Sequence, residues 1–173
     1  MKSSLQEKIT RRKARVAVLG IGYVGLPLAH EFALAGFRVF GLDKDRKKVN
    51  LINRGISYIS DVDSKTLGRA VKSGRLNATM DPACLRKCDC IVICVPTPLN
   101  KLKEPDISYV LEAARMVKQN LRKGQLIILE STTYPGTTEE MILPEITRKG
   151  LRVGRDFFVC FSYFYGFCVD CLF

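Results

Sequence analysis

The sequence predicts an α/β fold, a doubly wound parallel sheet in a single domain with helices on both faces. Three observations carry this. Short, mostly apolar runs at 16–19, 38–42, 90–95, 125–129 and 157–161 have the length and composition of buried parallel strands. Helix-length segments separate them, so strands and helices alternate along the chain. A glycine pattern, Gly20-x-Gly22-x-x-Gly25, joins the first run directly to the first helical segment. Right-handed crossovers then set the strands into one sheet.

With 173 residues the chain is long enough for one well-cored domain and little more. A hydrophobic share of 47% against 26% charged is ordinary for a globular protein and argues against a disordered or membrane-spanning chain. No window approaches the roughly 18 apolar residues of a membrane span. The charged N-terminus lacks the apolar core of a secretory signal, so a cytoplasmic protein with no membrane partner is expected. Of the net charge of +11, Lys2, Lys8, Arg11, Arg12, Lys13 and Arg15 against Glu7 supply a local excess. Residues 1–14 are therefore expected to be a solvated, frayed basic leader. No RNA- or DNA-binding motif accompanies them, so nucleic acid is not an expected partner. Seven cysteines in such a chain argue against a disulfide framework. Cys90 and Cys94 lie within the apolar run C-I-V-I-C-V, which favours core packing over metal ligation.

The elements follow in order. Val16–Leu19 is the first strand. Gly20 permits the tight turn out of it, Gly22 lets backbone approach a pyrophosphate, and Gly25 lets the next helix pack against the strand. The helix N-terminus offers unpaired N–H groups to the phosphates. That helix is expected over 26–35, with Val24, Leu28, Phe32 and Ala35 at helical spacing, Pro27 tolerated in the first turn and Gly36 as the stop. His30, the only histidine, reads as a surface or partly buried helix residue. The second strand, Arg38–Leu42, ends in Asp43, where an acid accepts hydrogen bonds from the ribose hydroxyls of NAD. Strand, glycine turn, helix, strand and acid fall within about 30 residues, the length of one dinucleotide-binding unit of the Rossmann type. Lys44, Arg46, Lys47 and Lys48 follow and could accept a 2′-phosphate. The acid disfavours that phosphate, so NAD rather than NADP is the expected cofactor.

Asp45 caps a helix running to about Asn53, 57–61 is a loop, and 62–72 is a further helix ending at Gly74. Leu76–Thr79 is a short edge strand, and Asp81-Pro82 opens a helical turn. Cys90–Val95 suits a sheet centre and ends in Pro96-Thr97-Pro98, which turns the chain out at the strand's carboxyl end, where ligands bind in open parallel sheets. Asp106 or Ser108 caps an amphipathic helix carrying Val110, Leu111, Ala114, Val117 and Leu121. Gln125–Leu129 is the fifth strand, followed by a polar loop and a helix to about Thr147 that Pro144 kinks or shortens. Phe157–Phe161 is the sixth strand.

On these residues the chain from Val16 to Phe161 resembles the N-terminal NAD-binding domain of nucleotide-sugar 6-dehydrogenases, the UDP-glucose and UDP-N-acetylhexosamine group, and most of all its UDP-N-acetylglucosamine branch. The matching motifs are G-I-G-Y-V-G-L-P-L-A from Gly20, V-P-T-P-L-N-K-x-x-E-P-D from Val95, and E-S-T-T-Y-P-G-T-T-E-E from Glu130. The resemblance implies a four-electron oxidation in nucleotide-sugar metabolism that supplies polysaccharide synthesis. The sugar's primary alcohol passes through an aldehyde, a cysteine-bound thiohemiacetal and a thioester to the uronic acid, reducing two NAD. It also implies that Gly20, Gly22, Tyr23, Val24 and Gly25 hold the pyrophosphate and that Asp43, with Lys48 nearby, holds the adenosine ribose. Val95 and Pro96 are implied to line the cofactor, with Thr97, Ser131 and Thr132 bordering the nicotinamide side. Thr132 is implied to help position the water, a catalytic role. It reads equally as a hydroxyl that caps backbone before a helix.

The chain departs from the family after Ser162. There the family continues S-P-E-R, whose glutamate serves the chemistry, whereas here Tyr163-Phe164-Tyr165-Gly166-Phe167-Cys168 follows. The last 17 residues hold eight of the fifteen aromatics and one charge, Asp170, so the composition breaks sharply. The family's distal catalytic cysteine, its catalytic lysine and aspartate, its dimerisation helix and its UDP-binding domain are not in these residues. Residues 15–161 are thus expected to be the NAD-binding domain, and 162–173 an aberrant tail left by truncation or frameshift. The chain alone is expected to bind NAD without oxidising a UDP-sugar, which would be a partner only of a full-length enzyme. A stand-alone regulatory dinucleotide module is the alternative. The loops after strands four and five disfavour it, since a sensor needs no substrate-side residues.

Overall fold

The computed structural model describes residues 4–99, 105–131, 138–147, 150–162 and 169–172. Its strands are β1 Arg15–Leu19, β2 Arg38–Leu42, β3 Leu76–Thr79, β4 Cys90–Ile93, β5 Leu126–Leu129, β6 Phe158–Ser162 and β7 Val169–Leu172. They form one sheet in the order β3-β2-β1-β4-β5-β6-β7. The first six run parallel, and β7 pairs antiparallel with β6, Cys160 opposite Cys171. The order reverses on either side of β1, which pairs with β2 on one edge and β4 on the other, and this opens a crevice beyond the carboxyl ends of β1 and β4. Within the expected aromatic tail, residues 163–168 lie outside the described residues.

The helices are α1 Leu5–Thr10, α2 Gly25–Leu34, α3 Arg46–Asn53, α4 Ser64–Lys72, α5 Ser108–Asn120 and α6 Leu143–Ile146, with a 3₁₀ helix at Pro82–Lys87. The sheet separates two cores because side chains alternate along each strand. Val16, Val18, Cys90, Val92 and Cys94 face the core shared with α2, α3 and α4. Ala17, Leu19, Ile91, Ile93, Ile127 and Leu129 face the core shared with α5 and α6. No helix among the described residues is long and apolar enough to cross a membrane.

Several elements differ from expectation for identifiable reasons. α4 begins at Ser64 rather than Val62, because the Asp63 carboxylate accepts the Thr66 N–H at 2.9 Å and caps the helix. Val62 before the cap and Leu67 in the second turn share one buried cluster, an apolar brace across the helix start. α5 has Ile107 at its cap position, while Asp106 Oδ1 accepts the Ser108 N–H from one residue further out. After β5 a π-helical turn, Thr138–Ile142, runs into the single turn of α6, which places Pro144 in a helix's first turn rather than its middle. His30, expected on the surface or partly buried, is buried.

From Ser4 onward the leader is not frayed. Ser4 Oγ accepts the Glu7 N–H at 3.2 Å and starts α1, and Leu5 and Ile9, one turn apart, pack against the core beside α2. Lys8 Nζ lies 2.7 Å from Asp89 Oδ1, Arg122 reaches the same oxygen at 2.9 Å, and the Arg15 N–H donates to Oδ2 at 3.1 Å. Asp89 is only 5% exposed. Burial raises its pKa, but the hydrogen bonds from Lys8, the Arg15 backbone and Arg122 outweigh that and hold it below the ordinary carboxylate value.

Asp89→Asn is expected to lower the unfolding free energy at neutral pH by about 2 kcal/mol, toward the low end for a broken buried pair because both cations are about a third exposed. With the folded pKa depressed, this contribution is complete above the unfolded value of about 3.9. It is lost as pH falls below that value through the folded one. Urea unfolding of both proteins from neutral pH into the acid range should show the gap closing there.

Candidate functional site

The turn from β1 to α2 gives its three glycines three different surroundings. Gly20 has φ +85°, and a Cβ there would sit 2.6 Å from the Cys94 carbonyl oxygen of β4's end. A Cβ on Gly25 would lie 1.8 Å from Gly20 O and 3.3 Å from the Cys94 side chain. At Gly22 an added Cβ would meet nothing within 4 Å. The first glycine makes the turn, the last seats the helix, and the middle one leaves its face open. No side chain caps α2, whose N-cap position is Val24, so the N–H groups of its first turn have no side-chain acceptor and the positive end of its dipole faces the crevice. Tyr23 and Val24 are exposed on this turn.

Asp43 stands at the end of β2 against the same turn. Its Oδ2 accepts the Ile21 N–H at 3.0 Å and its Oδ1 accepts the Asp45 N–H at 2.9 Å. Two of about four carboxylate acceptor positions are thereby used. Lys48 Nζ is 3.9 Å from Oδ2. Beside these groups lies a cleft of about 220 Å³. Leu42, Met80, Val95, Pro96, Ala113 and Met116 supply its apolar walls, while Asp43, Lys44, Lys48 and Glu112 bring charge.

Gly20, Asp43, Lys48, Val95 and Pro96 therefore meet at one cleft. Thr97 is half-buried beyond it. Ser131 is buried, and its hydroxyl donates to Val95 O at 2.8 Å, tying the end of β5 to the end of β4. Thr132 lies outside the described residues. Cys94, beneath the turn, is pushed up to about 12 by burial and by the Glu130 carboxylate, so it packs as a small apolar group and stays a thiol at neutral pH.

Sequence reasoning missed Tyr58. Its hydroxyl donates to Ile21 O inside the glycine turn, and burial, then the Asp43 and Asp45 charges, hold that hydroxyl protonated far above its ordinary range. It comes from a short loop, Ile56-Ser57-Tyr58-Ile59-Ser60, whose mixed composition carries no motif. Glu112 and Met116 were also missed. With Tyr109 they form a second stripe on α5, beside the core stripe of Val110, Ala113, Ala114 and Val117, and spacing of three and four residues could have found it.

An open glycine turn at a helix N-terminus, an acid at the next strand's end and a crevice at the point where strand order reverses define a dinucleotide-binding domain. The sequence pattern of the "UDP-glucose/GDP-mannose dehydrogenase family, NAD binding domain" matches residues 14–162. The chain belongs to that family, as its NAD-binding domain. It is 38% identical over 149 residues to UDP-N-acetyl-D-glucosamine 6-dehydrogenase of Pseudomonas aeruginosa, covering 86% of this chain and 34% of that protein. It is 40% identical over 148 residues to UDP-N-acetyl-D-mannosamine dehydrogenase of Pyrococcus horikoshii, covering 84% and 35%. Among solved structures, the UDP-N-acetyl-mannosamine dehydrogenase Cap5O of Staphylococcus aureus superposes with a TM-score of 0.79 at 31% identity, covering 86% of this chain and 36% of that one. The chain spans about a third of the length of these relatives.

Gly25→Ala is expected to destabilise by about 2–3 kcal/mol through overpacking against Gly20 O. Gly22→Ala should stay within about 0.5 kcal/mol of the original. Denaturant unfolding of the two variants side by side checks the contrast, and equal losses would contradict the roles given to these glycines.

Proposed function

We propose that this chain is the cofactor half of a nucleotide-sugar 6-dehydrogenase, acting on a UDP-hexose or UDP-N-acetylhexosamine. The observation that carries the cofactor half is the open face of Gly22 beside the two unused acceptor positions of Asp43. In this reading NAD, when bound, supplies the hydride acceptor for oxidation of the sugar's primary alcohol. The chain's own residues bind and orient. Gly20, Gly22, Tyr23, Val24 and Gly25 present backbone and the α2 N-terminus to the pyrophosphate. Asp43, already held by two backbone N–H groups, accepts from the adenosine ribose hydroxyls, and Lys48 steadies its charge. Leu42, Val95, Pro96 and Met116 enclose the apolar faces of the adenine. Ser131 acts by positioning, since its bond to Val95 O holds the loop that carries Pro96 and Thr97 toward the nicotinamide side. Thr132, next in the chain, is assigned to the nicotinamide side and to positioning the water.

In this reading the nucleophile and the UDP site that oxidation to the uronic acid requires belong to the remaining two thirds of a relative's length, so the 173 residues alone are proposed to hold cofactor without turnover. The named activities of the relatives support the substrate class, and coverage of about a third of their length supports the division of labour. The buried thiols of Cys84, Cys88, Cys90 and Cys94, packed in the two cores, support a cytoplasmic location.

Titration with NADH, followed by nicotinamide fluorescence, should show saturable binding. Asp43→Asn is expected to weaken it about tenfold, equivalent to about 1.4 kcal/mol. No binding at millimolar NADH would reject the cofactor reading. NAD reduction on adding a UDP-sugar to these residues alone would reject the proposed division.

A further inference from the structure

Four basic residues follow Asp43 within five positions, and two of them, Lys44 and Lys48, line the cleft. In a dinucleotide site a cation beside the ribose accommodates a 2′-phosphate, so bare lysines here would admit the phosphorylated cofactor. Neither lysine is bare. Lys48 stands 3.9 Å from Asp43. The Lys44 ammonium donates to Glu112 Oε1, which comes from the second turn of α5, 68 residues further along the chain. That ion pair links the end of β2 to α5, two elements that both contribute to the cleft.

The two carboxylates are held differently. Asp43 has a side chain only 14% exposed and is fixed by backbone N–H groups. The Lys44 and Glu112 side chains are 67% and 50% exposed, so charge rather than burial holds them together. A lysine on a flexible four-carbon stem is free to reorient once its partner loses charge. As the groups stand, the two ammonium and two carboxylate groups lining the cleft balance, so the lining itself offers an additional phosphate no excess cation.

We infer that Glu112 is a specificity-determining residue for the cofactor. By pairing with Lys44 it withholds the cation that would receive a ribose 2′-phosphate, and its own charge repels that phosphate. The site thus selects a dinucleotide with a free 2′-hydroxyl through Glu112 as well as through Asp43. This rests on the cleft being the adenosine side of the NAD site.

Glu112→Gln removes the charge and keeps the side chain's length. NADH and NADPH are titrated by nicotinamide fluorescence against the unsubstituted chain, Glu112→Gln, and Glu112→Gln combined with Lys44→Met, each at low and high salt. The ratio of NADPH to NADH affinity is expected to rise about three- to tenfold in Glu112→Gln. The rise should shrink at high salt and disappear in the double variant. NADH binding with an unmoved ratio, or a rise that survives removal of Lys44, overturns the role of Glu112 alone. Absence of NADH binding by the unsubstituted chain overturns the cofactor reading and this role with it.

Discussion

Around the glycine turn the backbone passes so close to itself and to the end of β4 that no side chain fits at two positions. A Cβ on Gly25 would overlap Gly20 O, and one on Gly20 would press on Cys94 O. This close approach lets α2 start at the switch point of the sheet with its N-terminus at the crevice. It also keeps position 94 small, so a buried cysteine sits there with its thiol protonated. Asp43 and Tyr58 then clamp the turn at the two peptide groups that flank Ile21, the acid taking the Ile21 N–H and the phenol donating to the Ile21 carbonyl. The cofactor face is therefore set in backbone before any ligand arrives, which reduces the ordering that binding must impose.

A carboxylate stands at each end of the sheet's central strands, and each does local structural work through backbone N–H groups. At the carboxyl end Asp43 joins β2 to the glycine turn and keeps acceptor capacity to spare. At the amino end Asp89 joins the start of β4 to β1, α1 and the segment after α5, and its two cations consume its charge. A buried acid with its cations in place is a fastening, whereas an acid whose nearest cation is 3.9 Å away remains available to a ligand. The same chemistry thus separates a structural end of the sheet from a binding end.

Much of this was legible in the sequence because the strands are buried on both faces. A run such as Cys90–Ile93 has no polar residue to disguise it, and β2 begins and ends where its apolar run does. The glycine spacing and Asp43 were readable because each answers a local backbone requirement. Long-range pairing was not. In the sequence Leu5 and Ile9 are too few to stand out against the surrounding charge, and the partner of Lys8, Asp89, is distant along the chain. Tyr58 and the Lys44–Glu112 pair reach their partners across 37 and 68 residues, and no periodicity encodes such a meeting. The start of α4 was misjudged for a nearer reason, since Val62 continues the apolar pattern although the cap is Asp63.

The fastening of α1 to Asp89 also bears on how the chain is made. Lys8 and Asp89 are 81 positions apart, so at about 5–20 residues per second the leader waits about 4–16 s for its anchor to be synthesised. During that time β1 has β2 as its only neighbour in the sheet, and the edge that β4 later covers stands open along Val16–Leu19. An apolar strand with an open edge invites pairing with another nascent chain. Arg11, Arg12, Lys13 and Arg15 directly precede that edge, and like-charged residues flanking such a strand oppose its pairing with a second copy. In the folded domain Arg11 pairs with Glu7, Arg12 lies over the Phe37 ring and Arg15 opens β1, whereas before β4 is made the same charges oppose pairing of the open strand.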